Sequence, residues 1–268
     1  MRPIDRFPLQ QARTIKYVLT DIDDTLSNAG RIPGCAYQAL ENLKQIGIKV
    51  LPITGRPAGW CDLIARMWPV DGVIGENGAF YFVYDDRNKK MIRRYARSPQ
   101  ERTEDRGNLS KIRDEILHSI PSCALSADQH YREADLAIDF CEDVPPLSEN
   151  YIQKIVEIFE KYGACAKISS IHVNGWFGNY DKLSMTKKLF DELYGVNLDE
   201  IRKHVVFAGD SPNDEPMFGY FPHSVGVANV LHFAERLTHK PTWITEAEGG
   251  YGFSQIADRL LKAISPSQ

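Results

Sequence analysis

Ile15-Lys16-Tyr17-Val18-Leu19-Thr20-Asp21-Ile22-Asp23-Asp24-Thr25 carries a short apolar, β-prone run directly into three carboxylates. The pattern recurs towards the other end, where Val205-Val206-Phe207-Ala208 leads into Gly209-Asp210-Ser211-Pro212-Asn213-Asp214. Both runs read as buried strands, being short and apolar rather than long and amphipathic. Acidic residues therefore stand at the carboxyl ends of two strands, the edge at which an open parallel sheet binds its ligands. Crowded carboxylates repel, so one must stay protonated unless a cation neutralises the group. Hard oxygen donors of this kind suit Mg²⁺, which keeps several waters and takes about one or two carboxylates plus a phosphate. Calcium fits less well, because the EF-hand loop with its central glycine and closing glutamate is missing.

Two further pieces lie between these words. Leu51-Pro52-Ile53-Thr54-Gly55-Arg56 ends a third apolar strand with a hydroxyl and a glycine, where backbone N–H and Oγ–H donors can meet phosphate at a helix start. Tyr180-Asp181-Lys182 precedes the helical spacing Met185, Leu189, Leu193, and a lysine there supplies a point positive charge. Asp21 and Asp23, separated by one residue on an extended segment, can point their side chains to the same side. One carboxylate can then attack phosphorus while the other handles the proton on the bridging oxygen. Enzymes accelerate phosphate-monoester hydrolysis by up to roughly 10²¹-fold, whereas a lone acid-base group gives about 10² to 10⁴. Positioning, metal and cationic groups around the phosphoryl oxygens must supply the remainder.

In chain order these four pieces resemble the motifs of the haloacid dehalogenase-like (HAD) hydrolase superfamily. Asp21, Asp23 and Thr25 match its D-x-D-x-T, Thr54 its strand-end hydroxyl, Lys182 its lysine, and Asp210 and Asp214 its G-D-x-x-x-D. The long insert before Lys182, Glu76-Asn77-Gly78-Ala79 and Gly249-Gly250-Tyr251-Gly252-Phe253 are similar to the type IIB branch. That branch is Cof-like and includes sucrose-phosphate, trehalose-phosphate and mannosyl-3-phosphoglycerate phosphatases. The likeness runs from about Ile15 to Leu261. It departs at Asp24, where relatives often carry Gly, and at Lys182-Leu183, where they often carry Lys-Gly.

The resemblance implies an α/β fold: a Rossmann-like three-layer core with a mostly parallel sheet, plus an inserted α+β cap. It implies Asp21 as nucleophile and Asp23 as acid and base. Asp21, the Asp23 carbonyl and Asp210 would hold Mg²⁺ with Asp214 behind them, while Thr54, Gly55, Lys182 and Asn213 would meet the phosphate. The implied reaction is hydrolysis of a small phosphorylated metabolite, a sugar phosphate by likeness, through an aspartyl phosphate. A phosphomutase of the same superfamily and a catalytically silent metal-binding regulatory module stay open. A dehalogenase is disfavoured, because Asp23 and the metal cluster have no role in displacing halide.

The bulk of the chain agrees. At 268 residues and 43% hydrophobic it can bury a substantial core and is long enough for two domains. A net charge of −4 gives no global field for nucleic acid or an anionic membrane, so local groups must draw an anionic small-molecule substrate. No apolar run approaches the ~20 residues that span a bilayer, and Met1 to Thr14 is polar and proline-broken, unlike a signal peptide. Cytoplasmic residence is the expectation. Cys35, Cys61, Cys123, Cys141 and Cys165 are scattered as reduced thiols would be, with no zinc spacing. The chain contains no G-x-S-x-G, H-E-x-x-H, Walker A or G-x-G-x-x-G word. Nothing in it speaks to oligomeric state.

Strand and helix patterns alternate up to Val73-Ile74 and again after Lys182, predicting parallel strands with right-handed crossovers. Ala36, Leu40, Leu43 and Ile46 carry one helix, Trp60, Leu63, Ile64 and Met67 the next, and Leu231 to Leu237 a late one. From about Phe80 a hairpin pattern begins, followed by mixed helices and strands. Residues 1–84 and 179–268 thus read as a discontinuous catalytic core, and 85–178 as the cap. Lys89, Lys90, Arg93, Arg94 and Arg97 read as a solvated hairpin face rather than a nucleic-acid site. Arg56, Asn77, His172 and Asn179 are candidate substrate contacts, and Asn174 and Trp176 share the segment that can lean over the site.

Overall fold

The computed structural model describes residues 1–169 and 171–264. Its strands, in chain order, are Arg2–Pro3 (β1), Tyr17–Thr20 (β2), Lys49–Pro52 (β3), Val73–Gly75 (β4), Phe80–Asp85 (β5), Lys90–Tyr95 (β6), Ala124–Leu125 (β7), Leu136–Asp139 (β8), Cys165–Ile168 (β9), His172–Trp176 (β10), Val205–Gly209 (β11), His223–Gly226 (β12) and Trp243–Ile244 (β13). The α-helices are Leu9–Ala12 (α1), Gly34–Gln45 (α2), Ala58–Met67 (α3), Pro99–Ser119 (α4), Glu149–Lys161 (α5), Lys182–Leu189 (α6), Leu198–Ile201 (α7), Glu215–Tyr220 (α8) and Gly249–Ile264 (α9).

The core sheet runs β1-β13-β12-β11-β2-β3, and every neighbouring pair is parallel. From β2 the chain steps outward to β3, and it returns as β11 on the other flank of β2. The winding therefore reverses between β2 and β11, and a crevice opens at their carboxyl ends. Successive side chains point to opposite faces. Val18, Val50 and Val206 pack with Leu40 and Leu43 of α2 and Ile256 and Leu260 of α9, whereas Leu19, Leu51 and Phe207 pack with Leu189 of α6 and Phe218 of α8. Three layers follow directly from that alternation.

Beyond β3, a parallel bridge between Ile53 and Ile74 carries the core on to β4, which begins the antiparallel run β4-β5-β6. β6 bonds along the whole of β5, so the hairpin stays joined to β4 through β5. Arg93, Arg94 and Arg97 pair with Asp62, Glu192 and Asp105, consistent with a solvated basic face.

The α+β cap is a second sheet, β7-β8-β10-β9, covered by α4 and α5. Ser98 and Glu101 close a capping box at the start of α4. Leu109, Ile112, Ile116, Ile155 and Phe159 bury against Ile138 and Val173. Because strand side chains alternate, His172 and Asn174 lie on the opposite face of β10 from Val173, and both line the cavity described below. Trp176, expected near that cavity, instead packs into the core with Tyr180 stacked on it.

Two helical expectations change. Of the expected α3 stripe Trp60, Leu63, Ile64 and Met67, Ile64 is buried and the other three face outward, and Ala58, Cys61 and Ala65 complete the buried face. Small residues let it lie close to β4 and β5. The late helix is a 3-10 stretch, Ala228–Phe233, in which only Val230 is buried, so no apolar face sustains regular turns. No disulfide forms among the described residues, and no helix among them is long and apolar enough to cross a membrane.

Candidate active site

Strand register assembles the acidic words. Thr20 lies opposite Ala208, and the Asp21 N–H continues the ladder to the Ala208 carbonyl at 2.9 Å, so Asp21 and Asp210 leave the sheet side by side. Lys182 enters from the first turn of α6, which Asp181 caps through a reciprocal pair with Ser184. Its ammonium donates to Asp21 Oδ1 at 2.6 Å and to Asp214 Oδ1 at 2.7 Å. Asp214 Oδ2 accepts the Asp210 N–H at 3.1 Å, closing the loop back on itself. A Cβ on Gly209 would collide with that carboxylate, which explains the glycine. Thr25 Oγ1 donates to Asp210 Oδ1 at 3.1 Å. Carboxylate oxygens of Asp21, Asp210 and Asp214 lie within 4.8 Å of one another.

All three acids are buried, and the charge balance is unfavourable. Burial, then Asp214 and Asp23, push Asp21 up to about 8 against the pull of Lys182. Burial and the charges of Asp21 and Asp214 likewise push Asp210 well above the carboxylate range. Burial opposes the Lys182 charge, yet Asp21 and Asp214 outweigh it and hold its pKa above the ordinary value. One ammonium against three close carboxylates leaves excess negative charge in a low-dielectric site, and a hard divalent cation would relieve it. Both Asp214 oxygens accept protein donors, and so do both Asp210 oxygens, from Thr25 at 3.1 Å and Asn229 at 3.4 Å, whereas Lys182 holds Asp21 through Oδ1.

Asp23 sits at the rim, gripped by a guanidinium fork: Arg56 Nε lies 3.1 Å from both its oxygens and Nη2 2.9 Å from Oδ1. Arg56 Nη1 reaches across to the cap, 3.4 Å from Glu142 and 3.7 Å from Asp128. Thr54 is fully buried; its Oγ1 accepts the Arg56 N–H at 3.0 Å, which leaves its own proton available. Above these groups lies a cavity of about 40 Å³, lined by Asp21, Asp23, Gly55, Arg56, Asn77, Asp210, Ser211 and Asn213 from the core and by Arg132, Ser169, Ile171, His172 and Asn174 from the cap. A Cβ on Gly55 would press on the Asn77 amide at 3.2 Å. Asn77 has φ +56°, a left-handed conformation that asparagine tolerates, and Glu76 beside it has φ +44°. Burial and the Arg132 charge push the His172 pKa down, and Nε2 approaches Glu142 Oε2 to 2.9 Å without hydrogen-bond alignment.

The structure thus brings Asp21, Asp23, Gly55, Arg56, Asn77, His172, Asp210 and Asn213 to one cavity, with Thr54, Lys182 and Asp214 directly behind it. Asn179 is elsewhere, in a groove with Arg97 and Lys188, because the turn after β10 carries it past the site. Three contributors went unread. Arg132 of the cap donates to the Gly55 carbonyl and to Asp135, both at 3.0 Å. Asn229 joins the Asp24 carbonyl at 2.7 Å to the Gly249 N–H at 3.2 Å. Glu76 binds the backbone of residues 133–135. Each acts over long sequence separation, and the residue before Asn77 was the only one inside a recognised phrase.

A capped, doubly wound α/β fold with strand-end carboxylates around one lysine is the class that fold and site define. The family model for haloacid dehalogenase-like hydrolases matches residues 18–111. A Thermoplasma acidophilum protein of known structure superposes with TM-score 0.71 at 19% identity, covering 92% of this chain and 98% of that one. A phosphatase of the haloalkanoate (HAD) enzyme superfamily from Bacteroides thetaiotaomicron gives 0.61 at 19%, covering 93% and 96%. A HAD subclass IIB sugar phosphatase gives 0.62 at 16%, covering 92% and 98%. No curated protein matches the sequence significantly. In sequence the chain is similar to haloacid dehalogenase-like hydrolases over residues 18–111, which hold the first two motifs, and it shares the fold of these solved structures over nearly its whole length.

Proposed function

We propose that this protein is a Mg²⁺-dependent phosphatase that hydrolyses a small phosphorylated metabolite through an aspartyl phosphate, with residues 85–178 acting as its specificity cap. The observation that carries the reading is the convergence of Asp21, Asp210, Asp214 and Lys182 at the switch point of the sheet. A sugar phosphate is the expectation from the motifs, and the similar subclass IIB structure described as a sugar phosphatase supports it.

Asp21, the Asp23 carbonyl and Asp210 would hold the ion, which would draw charge from the phosphoryl oxygens. Asp21 attacks phosphorus with the oxygen that Lys182 does not hold. Asp23, in its acid form, gives its proton to the bridging oxygen as the P–O bond breaks and the alcohol leaves. Asp23 then takes a proton from water, the water oxygen bonds to phosphorus, and orthophosphate departs from Asp21. Lys182, the Thr54 hydroxyl and the N–H groups after Gly55 neutralise the transferring group, with Asn213 at its edge.

The experiment is phosphate release from a panel of metabolite phosphates with and without Mg²⁺. Turnover should require the ion and vanish in Asp21→Asn; an unchanged rate in that variant refutes the reading.

A further inference from the structure

The cavity over Asp21 offers about 40 Å³, roughly three water-sized spheres at ~10–15 Å³ each. A phosphoryl group bound at Asp21 would occupy much of that space. Asp23 and Arg56 also line a second space of about 500 Å³. Its walls are Ile22 within the first motif and Ile32 beyond it, Trp60, Leu63 and Ile64 of α3, and Tyr131 of the cap. Trp60, Leu63 and Tyr131 remain 43%, 51% and 51% exposed. The Arg56 guanidinium lies 4.6 Å over the Trp60 ring, so the residue that grips Asp23 also forms the inner end of the groove. Gly59 admits the far wall: a Cβ there would press on Tyr131 at 3.0 Å.

We propose that this groove is the leaving-group subsite and that the preferred substrate is a phosphate ester whose alcohol carries an aromatic ring. The inference rests on the phosphatase reading and puts an aromatic alcohol in place of the sugar expected from the motifs. If Asp23 protonates the bridging oxygen, the alcohol begins at Asp23, and the cavity side is taken by phosphate. The groove is the space that shares Asp23 with the cavity, and its surface is mainly aromatic and aliphatic. A bare hexose would bring hydroxyls to walls with few polar partners, leaving them desolvated and unpaired. An aromatic ring instead meets an indole, a phenol and branched aliphatic side chains. The outward stripe on α3 thereby gains an occupant.

Calorimetric titration of the Mg²⁺-loaded full chain with phenylphosphonate and methylphosphonate tests this without requiring turnover. The wild type should bind the phenyl compound about 10-fold tighter or more, the scale of one buried ring. Leu63→Asp and, separately, Trp60→Ala should collapse that ratio to within about twofold. Both sites are partly exposed, and circular dichroism confirms that each variant is folded. Equal affinities in the wild type, no binding of the phenyl compound, or a ratio that survives both substitutions overturns the proposal. A dimer that Leu63→Asp dissolves, with no ring preference, assigns the groove to self-association and overturns it equally. Phosphate release from phenyl phosphate reports the parent reading separately: intact ring preference without release sinks the phosphatase and leaves the groove standing.

Discussion

Glu76 Oε2 accepts the Ala134 N–H at 2.6 Å, and through that bond a core turn holds the cap in place. The same carboxylate also accepts from Ala58, Glu133 and Asp135 at 2.9, 2.9 and 3.1 Å. Removing it in Glu76→Ala would strand several buried N–H groups at once, each costing about 1–3 kcal/mol. The expected loss of stability is about 3 kcal/mol or more, read from the urea midpoint, with faster amide exchange at residues 133–135. An unchanged midpoint would show that the joint contributes nothing.

Asp21 and Glu76 both carry pKa values pushed up to about 8, in each case chiefly by burial. Between the unfolded carboxylate range near pH ~4 and about 8, the folded protein therefore binds more protons than the unfolded chain. Stability is fully present below that window and falls as pH rises through it. In metal-free buffer the melting temperature should drop from pH 5 to pH 8, and Asp21→Asn should flatten the decline. At pH 8 that variant should melt higher than the wild type, by about 2–4 °C for each kcal/mol regained. A steeper decline in the variant would contradict the assignment.

Arg56 holds Asp23 with a fork that lysine has no means to reproduce. In Arg56→Lys, kcat should fall about 10- to 100-fold, within the ~10²–10⁴ that positioned acid-base catalysis supplies. Steady-state kinetics decide: a raised KM with unchanged kcat would mean that Arg56 binds substrate and does not orient Asp23.

Gly78 has φ +108°, and a Cβ there would overlap the Asp181 carbonyl just before Lys182. Gly78→Ala should cost about 2 kcal/mol or more and lower activity by displacing the lysine. Gly107 makes the matched control, since it lies within α4 with open space around its Cβ position. Gly107→Ala should be neutral or stabilise by about 0.5–1 kcal/mol. Thermal melts of the pair check both, and equal shifts would remove the steric argument.

Much of the site was legible because its signals are local. A β-prone run that ends in Asp21 or Asp210 announces both the strand and the edge where the acids lie, and Gly55-Arg56 does the same for the third strand. Helical spacing was legible only as spacing. It located α3, but it could not say which apolar stripe is covered, and the answer was Ala58, Cys61, Ile64 and Ala65. Trp60, Leu63 and Met67 look like core by hydrophobicity and lie 43%, 51% and 70% exposed. Asn179 shows the same limit: two residues of turn suffice to carry a polar side chain into another groove.

Residue order alone marked the candidate side chains, since strand-end acids, a glycine-flanked hydroxyl and a lysine at a helix start are each written in a few consecutive positions. Their meeting was settled by pairing across the sheet. The Thr20–Ala208 register places Asp21 beside Asp210, and α6 delivers Lys182 to both Asp21 and Asp214. The partners that finish the site, Arg132 on the Gly55 carbonyl, Asn229 beneath Asp24 and Glu76 under the cap, exist as partners only in three dimensions. A hydrogen bond acts over about 3 Å whatever the number of residues between its ends, so no local pattern encodes those contacts.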